Sequence, residues 1–557
     1  MIPLLQSKPW AIPLSLLILG SLFWLPGLGA VHLFDWDEIN FAEISREMIL
    51  TGEYGRVYIN FVPFWEKPPF FFWLQVLAMQ LFGVNELAAR LPNVACGLLS
   101  LYFIYRVGKE LYDHRFGWWW VLAYFGSILP HLYFRSGIID PVFNLFIFVG
   151  LYGLIRAYWV REGWRAESQR NGFWPYLLGG GLALGLAVLT KGPAALLIVG
   201  LALGVYWLLE RGRWYLSLGH FILYGLSASL LTLLWFGWET WQNGPWFVRE
   251  FTRYQYRLFS TPDAGHAGFP GFHAVVLLIG CFPASVFALG VLFRRTSETE
   301  ARRTDFMRWM KILFWVVLIL FSIVQSKIVH YSSLCYFPLT FLAARYLYGL
   351  HRAEWNWKTR FGGGLVAIAG LFAAALLLIP LISSRIDQLL PYIQDPFARE
   401  NLEAEVRWSA WSWLPALVLL VGVILFLRWR SQQLERAVPT LFLTTALFIF
   451  GTLYFFLPNI EQYSQRAVIE FWKEKSEENA YLMSFEYKSY APLFYGRRAP
   501  GARPESRDND WLLRGAVDKP VYLTCRVHKA QKVAQLGSFV EIGRKNGFVF
   551  FKREPQR

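Results

Sequence analysis

Apolar residues of this chain fall into long runs that are separated by short polar segments. Each run has about 18 to 20 residues with few charges, which is the length that crosses the hydrocarbon core of a bilayer as a helix. The thirteen runs lie near residues 11–28, 88–108, 116–133, 140–159, 174–190, 192–209, 215–237, 272–293, 309–326, 332–350, 362–382, 411–428 and 437–456. The pattern predicts an all-α polytopic membrane protein with about 13 transmembrane helices.

Lys and Arg residues are concentrated in alternate loops between these runs. They cluster in the segments 106–115, 156–170, 211–213, 294–311, 345–360 and 428–436. By the positive-inside rule, these loops and the N-terminus are predicted to be cytoplasmic. The segments predicted to face outward are 29–87, 238–271, 385–410 and everything after about residue 457. The first run lacks a small-residue cleavage site, so we expect it to be retained as an anchor.

The first outward loop, residues 29–87, is too long to be a plain connector. Apolar and charged residues at helical spacing in 39–50, followed by Gly52, predict a helix that lies along the membrane interface. The apolar segment 70–82 is short for a membrane crossing. Counting it as a span would invert the predicted topology of all later loops and break the alternation of positive charge. We therefore predict a re-entrant or interfacial helix there.

The composition changes after Pro458. Charged residues appear in 462–479, and short apolar runs near 480–485, 521–524 and 548–551 are separated by polar turns. A helix followed by short strands predicts a small extracytoplasmic α/β domain at 458–557, after a transmembrane domain at 1–457.

The amino-acid composition limits the classes of function that this protein can have. Of the 557 residues, 55% are hydrophobic and only 17% are charged. The formal net charge of +15 would suggest nucleic acid in a soluble protein, but here cytoplasmic loop anchors account for most of it. Of the four cysteines, three lie in hydrophobic runs and Cys525 is alone in the tail, so no disulfide framework is indicated.

An acidic cluster, Asp-Trp-Asp-Glu at 35–38, follows the first hydrophobic run. Carboxylates are costly near a bilayer, which favours a chemical role for this pair of aspartates. Asp37 could accept a proton from an incoming hydroxyl or stabilise a positively charged transition state, as carboxylates do in glycosyl transfer. The alternative is that Asp37 only caps the following helix.

The segment Glu66-Lys67-Pro68-Pro69 is the second candidate. Its two prolines hold the chain extended and fix the direction of the preceding pair. The Lys67 ammonium could bind a phosphate, with Glu66 orienting it or a sugar hydroxyl. The alternative is an interfacial ion pair with a snorkelling lysine.

Further charges lie at the outward edges of the predicted spans. They are Arg135, Asp140, Lys191, Lys327 and His330, with Tyr331 beside them. Several cations on one face suit a phosphate-bearing lipid, whose leaving group needs charge neutralisation, although each alone could be an interface anchor.

The loop 249–273 is the fourth candidate. It contains Arg257 and His266 among aromatic residues. Its histidines match no zinc template, so a substrate-gating loop is favoured over a metal site.

The residues at 35–92 closely resemble the GT-C glycosyltransferases, in particular bacterial aminoarabinose transferases and protein mannosyltransferase-like enzymes. The matching motifs are Asp37-Glu38, Phe41 to Met48, Glu66-Lys67-Pro68-Pro69 and Phe82 to Pro92, with Thr190 to Pro193 and Lys327 to Tyr331 further on. Two positions depart from the aminoarabinose-type pattern Asp-Glu-x-Arg-Tyr, because Asn40 and Phe41 replace the arginine and the tyrosine.

The resemblance implies an inverting transfer of a sugar from a polyprenyl (undecaprenyl) phosphate donor to a lipid, glycan or protein acceptor. It places the enzyme in the bacterial inner membrane with its site facing the periplasm. Asp37, Glu66 and Asp140 are then the expected catalytic residues. The expected donor-phosphate and substrate-binding residues are Lys67, Lys191, Arg257, His266, Lys327 and Tyr331. No metal ligand is assigned, and the need for a divalent cation is left open.

Two other functions are considered. A glycan ligase or polymerase would move a preassembled oligosaccharide through a wider cavity. A transporter or lipid flippase would also place charges in the membrane, but such proteins usually show inverted repeats, and no repeat is visible in this sequence.

Overall fold

The computed structural model describes residues 10–164, 172–261, 268–294, 298–501 and 503–555. Helices dominate these residues. The α-helices are Ala11–Trp24, Asp37–Thr51, Phe70–Phe82, Glu86–Leu111, His114–Phe125, Ile128–Tyr133, Asp140–Arg161, Phe173–Lys191, Ala194–Leu209, Leu218–Asn243, Trp246–Ser260, Phe272–Gly280, Ala284–Leu292, Ala301–Ile323, Tyr336–His351, Thr359–Ser383, Ile386–Leu389, Pro396–Leu402, Leu414–Trp429, Leu434–Phe455, Leu457–Gln462, Arg466–Lys475, Ala491–Phe494, Asn509–Arg514 and Ala530–Ala534. Short 3-10 helices are Val329–Cys335, Leu390–Tyr392, Pro504–Arg507 and Val527–Lys529.

This is a multi-pass membrane protein. Within the described residues, seven helices are long and apolar enough to cross a bilayer, and four shorter apolar helices accompany them. Every predicted apolar run coincides with a helix or a broken pair of helices. The total of 13 crossings stays a prediction.

Two of the predicted runs are broken. The run at 116–133 is interrupted at Gly126, where a β-carbon would lie 2.4 Å from the carbonyl oxygen of Phe442. The run at 272–293 is interrupted at Pro283, which lacks the N–H that a continuous helix requires. The missing N–H of Pro283 accounts for the second break, whereas the close approach at Gly126 accounts only for the glycine at that position.

The helix Asp37–Thr51, called here the site helix, confirms that residues 39–50 are helical; its position along the membrane interface stays a prediction. Gly52 ends it in the left-handed conformation with φ 73°, and its N–H donates to the Met48 carbonyl at 3.0 Å. A hairpin of β1 (Tyr58–Ile59) and β2 (Val62–Pro63) then leads to the helix Phe70–Phe82, whose 13 residues are too few to cross a bilayer.

The surroundings of the site helix differ from the sequence prediction. An interfacial helix would expose one polar face, but residues 38–48 are all buried. The Arg46 guanidinium forms an ion pair with Glu43 and donates to the carbonyl of Arg498 at 2.8 Å. The C-terminal part of the chain covers the polar face that the prediction left open.

The C-terminal segment contains a four-stranded sheet. Its strands are β3 (Tyr481–Phe485), β4 (Val521–Arg526), β5 (Val540–Lys545) and β6 (Phe548–Arg553), in the order β3-β4-β6-β5. β3 and β4 are parallel, and the other two pairs are antiparallel. The apolar runs predicted β3, β4 and β6. β5 was missed because this edge strand is mostly exposed and rich in charged residues.

An apolar cluster joins this C-terminal segment to the first outward loop. Leu33, Ile39 and Ala42 pack with Trp472 and Phe494, all of them buried. The sheet therefore lies on the same side of the helical bundle as the site helix. This contact brings residues from the two ends of the chain into one site.

Candidate functional site

A polar cavity of about 500 Å³ lies where the first outward loop, the bundle and the C-terminal segment meet. Its lining carries most of the charged residues that the sequence singled out. These are Asp35, Asp37, Glu38, Glu66, Lys67, Asp140, Lys191, Arg257, His330 and Tyr331, together with Asn40, Tyr254, Lys488 and Tyr490. Seven of the predicted site residues are thus brought together in one cavity.

A second cavity of about 310 Å³ continues from the first into the bundle. Its lining is mostly apolar, from residues such as Leu197, Ile198, Leu320, Phe321 and Leu334. Four residues line both cavities, namely Lys67, Asp140, Lys191 and Tyr331. They form the boundary between a polar space and an apolar one.

Helix ends place the charged side chains at this boundary. Asp140 is the first residue of its helix and Lys191 is the last residue of the next one. Each charge is of the sign that its helix terminus favours. The Lys191 ammonium donates to Asp140 Oδ1 at 2.6 Å, and it lies 5.1 Å from the centre of the Tyr331 ring.

His330 lies between two carboxylates of the cavity. Its Nε2 is 3.8 Å from Asp140 Oδ2 and 3.9 Å from Asp37 Oδ2. Asp140 Oδ2 is buried and has no hydrogen-bond partner within the described part of the chain. Burial lowers the pKa of the His330 imidazole, although the two aspartates act in the opposite direction. A neutral ring at this position can accept a proton.

The helix Trp246–Ser260 contributes a second group of contacts. Tyr254 lies beside the Lys67 ammonium, which donates to its hydroxyl at 3.3 Å and lies 4.8 Å from its ring centre. The Arg257 guanidinium lies 5.2 Å from the same ring. One tyrosine thus holds two cations at the cavity wall.

Glu38 and Arg90 form the buried support of the site. Arg90 donates to both oxygens of Glu38, at 3.0 and 2.8 Å, and also to backbone carbonyls before the acidic cluster. Glu38 in turn accepts from the backbone N–H groups of Phe34 and Gly137. This network fixes the turn that carries Asp37 and the loop that precedes Asp140.

One predicted phosphate ligand, Lys327, is not among the described residues that line the two cavities. The Lys327 ammonium donates to the carbonyls of Phe321 at 3.1 Å and Ser322 at 2.6 Å, and so caps the preceding helix. This is a structural role that the sequence did not indicate. His266 lies outside the described residues. No group of three His, Cys, Asp or Glu side chains suited to a metal ion occurs in the part of the chain that the structure describes.

Comparison with known proteins gives relatives that act on lipid-linked sugars. A family model for dolichyl-phosphate-mannose-protein mannosyltransferase matches residues 66–238. The undecaprenyl phosphate-alpha-4-amino-4-deoxy-L-arabinose arabinosyl transferase of Edwardsiella ictaluri is 29% identical over 66% of this chain and 65% of that protein. The undecaprenyl phosphate-alpha-4-amino-4-deoxy-L-arabinose arabinosyl transferase 2 of Pseudomonas fluorescens is 27% identical over 66% of this chain and 66% of that protein. The chain spans just under two thirds of the length of these relatives.

The crystal structure of ArnT from Cupriavidus metallidurans bound to undecaprenyl phosphate matches 99% of this chain and all of its own, with a TM-score of 0.78 at 19% identity. This chain has the fold of ArnT. Residues 35–92 indicated a resemblance to the GT-C aminoarabinose transferases, and these matches confirm it.

Sequence reasoning did not identify some of the cavity residues as site residues. His330 was noted only as a charge at a span edge, and Tyr254 only as an aromatic residue of its loop. Lys488 and Tyr490 gave no signal at all, because they lie in a separate segment more than 400 positions after the acidic cluster. A motif search near the acidic cluster could not find them.

Proposed function

We propose that this chain is a membrane glycosyltransferase that moves a sugar from a polyprenyl phosphate to an acceptor, with inversion. The observation that carries the proposal is the junction of an apolar cavity and a polar one at Lys67, Lys191, Asp140 and Tyr331. A polyprenyl phosphate sugar has the same division into an apolar chain, a charged phosphate and a polar sugar. Relatives named as undecaprenyl phosphate arabinosyl transferases support the proposal.

In this proposal the prenyl chain occupies the apolar cavity and the phosphate lies at the boundary. Lys67 binds the phosphate and Lys191, Arg257 and Tyr331 assist it, since cations stabilise the charge that develops on a departing phosphate. The sugar then extends into the polar cavity. Glu66, on the wall of that cavity, is available to its hydroxyls.

Asp37 is the proposed catalytic carboxylate. It is 44% exposed and faces the polar cavity, where an acceptor nucleophile can reach it. Asp37 deprotonates or positions the nucleophile, which attacks the anomeric carbon opposite the phosphate. His330 lies close enough to Asp37 to receive the proton after a small shift of either side chain.

The acceptor is a lipid, glycan or protein in this proposal. Asn40 stands where the aminoarabinose-type pattern has an arginine, and it lines the polar cavity. Acceptor specificity inherited from the aminoarabinose transferases is therefore not assumed. We place the enzyme in the bacterial inner membrane with the cavity facing the periplasm, where a lipid-linked donor replaces nucleotide sugars.

The test uses purified full-length protein, a polyprenyl phosphate sugar and an extract of envelope lipids and glycans. We expect release of free polyprenyl phosphate together with labelled product, and one sugar per product by mass spectrometry. Transfer of a preassembled oligosaccharide would identify a ligase instead. Donor movement across vesicles without release of polyprenyl phosphate would identify a transporter and overturn the proposal.

Replacing Lys67 by methionine tests the phosphate site. Methionine keeps the length of the side chain and removes the ammonium, so a charge-assisted contact of about 1.5 to 3 kcal/mol is lost. We expect the Kd for polyprenyl phosphate to rise roughly 10- to 100-fold. Native mass spectrometry or a fluorescent lipid displacement assay measures it.

The matched control is Lys358→Met, at an exposed lysine in a predicted cytoplasmic loop. It should leave the Kd unchanged. An unchanged Kd in Lys67→Met as well would mean that the phosphate is bound elsewhere.

A further inference from the structure

Three buried charged residues of the site helix line neither cavity. They are Glu43, Arg46 and Glu47. The Arg46 guanidinium pairs with Glu43 at 2.7 Å. Glu47 is only 1% exposed, and both of its carboxyl oxygens accept hydrogen bonds from the backbone. Because burying a carboxyl group is costly, the contacts of Glu47 point to a specific role.

The backbone donors to Glu47 belong to the turn of the β1–β2 hairpin. The Asn60 N–H donates to Glu47 Oε1 at 2.6 Å, and the Phe61 N–H donates to Oε2 at 2.8 Å. Ile59 pairs with Val62, so Asn60 and Phe61 are the two residues that connect the strands. One carboxyl group thus satisfies both N–H groups of this hairpin turn.

The hairpin turn has an unfavourable sequence for its conformation. Its φ angles are 57° at Asn60 and 55° at Phe61. Two-residue turns with positive φ at both positions favour Asn followed by Gly, and a bulky residue such as phenylalanine is disfavoured there. Each strand has only two residues, and a short hairpin is marginally stable by itself. The turn therefore depends on the two hydrogen bonds to Glu47.

The hairpin leads directly to Lys67. The Phe64 N–H donates to the Val57 carbonyl at 2.9 Å and closes the hairpin, and both residues are buried in the main core cluster. Lys67 follows three residues after Phe64 and lines both cavities. A change in the position of the hairpin would therefore move the Lys67 ammonium relative to the boundary between the cavities.

We propose that Glu47 is a positioning residue for donor binding, which holds the hairpin turn and thereby sets the position of the Lys67 ammonium. Glu47 itself lies outside both cavities and does not touch the donor. This inference deepens the proposed function and rests on it, because it takes Lys67 as the phosphate ligand. The dependence of the hairpin turn on Glu47 does not rest on it.

The test measures two properties of the full-length protein, the Kd for polyprenyl phosphate and the hydrogen exchange of the Asn60 and Phe61 amides. Glu47→Gln keeps the volume of the side chain, but its amide nitrogen cannot accept, so one N–H of the turn loses its partner. Burial, together with the charge of Glu43, raises the pKa of Glu47 to about 8, so uncharged glutamine also matches its charge at neutral pH. We expect faster exchange and a Kd that is roughly 2- to 10-fold higher, as for loss of one hydrogen bond.

Two double variants distinguish positioning of Lys67 from a general structural role. In the Lys67→Met protein, Glu47→Gln should not raise the Kd further, because no ammonium is left to position. Phe61→Gly should restore the Kd of Glu47→Gln, since glycine adopts a positive φ without steric cost. If Glu47→Gln does not fold, Asn60→Val disturbs the same turn from its other side and should show the same dependence on Lys67.

The matched control is Glu53→Gln, at an exposed glutamate just after the site helix, which should leave both measurements unchanged. Wild-type exchange of the turn amides in Glu47→Gln would overturn the proposal. An unchanged Kd despite faster exchange would do the same, as would an equal rise in the Kd with and without Lys67. Failure of the wild type to bind polyprenyl phosphate would count against the proposed function, and amide exchange would still decide whether Glu47 holds the turn.

Discussion

Replacing Asp37 by asparagine is expected to lower the rate of sugar transfer by about 10²- to 10⁴-fold, the contribution typical of a positioned general base. Asparagine keeps the shape of the side chain but cannot accept the proton or carry the charge. In the proposed arrangement the donor phosphate lies at the boundary between the two cavities, which Asp37 does not form, so the Kd for polyprenyl phosphate should not change. The measurement is single-turnover transfer from a radiolabelled lipid donor.

The control for this experiment is Asp387→Asn, in an exposed short helix whose residues line neither cavity. It should transfer sugar at the wild-type rate. If Asp37→Asn also did so while remaining folded, Asp37 would not be the catalytic carboxylate; nor does it cap its helix, because Trp36 is the N-cap and no side-chain cap hydrogen bond is formed there. A wild-type rate with a phosphate acceptor and a reduced rate with a hydroxyl acceptor would assign Asp37 to deprotonation.

Replacing Arg90 by methionine is expected to destabilise the protein by about 3 to 5 kcal/mol, because it leaves the buried Glu38 carboxylate without its partner. The midpoint of thermal unfolding in detergent should fall accordingly. Transfer activity should fall with it, since Glu38 holds both the turn before Asp37 and the N–H of Gly137.

The effect of Arg90→Met should depend on pH. Burial raises the pKa of Glu38, but the charge and hydrogen bonds of Arg90, together with the N–H groups of Gly137 and Phe34, outweigh burial, so the pKa lies below the ordinary value of 4.5. The ion pair therefore makes its full contribution to the free energy of unfolding at pH values above the ordinary pKa. This contribution is lost as the pH falls through the lower pKa that Glu38 has in the folded protein. Acidification should therefore reduce the difference in the midpoint of thermal unfolding between the wild type and Arg90→Met.

The comparison for stability is Arg399→Met, which removes an exposed ion pair with Glu403. Such surface pairs contribute about 0 to 1 kcal/mol, so little change is expected. Equal loss of stability in both variants would show that the buried pair has no special role.

The sequence predicted the elements that periodicity and turn residues encode locally. Gly52 marked the end of the site helix, and the short apolar segment 70–82 was separated correctly from the longer runs. The acidic cluster and the Glu66-Lys67 pair pointed to the cavity because charges near a bilayer are costly. These inferences needed only neighbouring residues.

The parts that the sequence did not predict depend on distant contacts. The close approach of the Phe442 backbone requires a glycine at Gly126, and Lys327 caps a helix instead of lining the cavity. The burial of the site helix and the position of Lys488 both arise from docking of the C-terminal sheet. No local pattern encodes the contact between positions 35 and 489.

That contact also affects when the polar cavity becomes complete during biosynthesis. Asp35 emerges after the first membrane helix, whereas Ser489 is synthesised 454 residues later. Until the C-terminal segment has folded onto the site helix, one wall of the polar cavity is missing. A partly synthesised or truncated chain therefore lacks a complete site, even when all of its membrane helices are inserted. The polar cavity can therefore be complete only after synthesis has passed Tyr490.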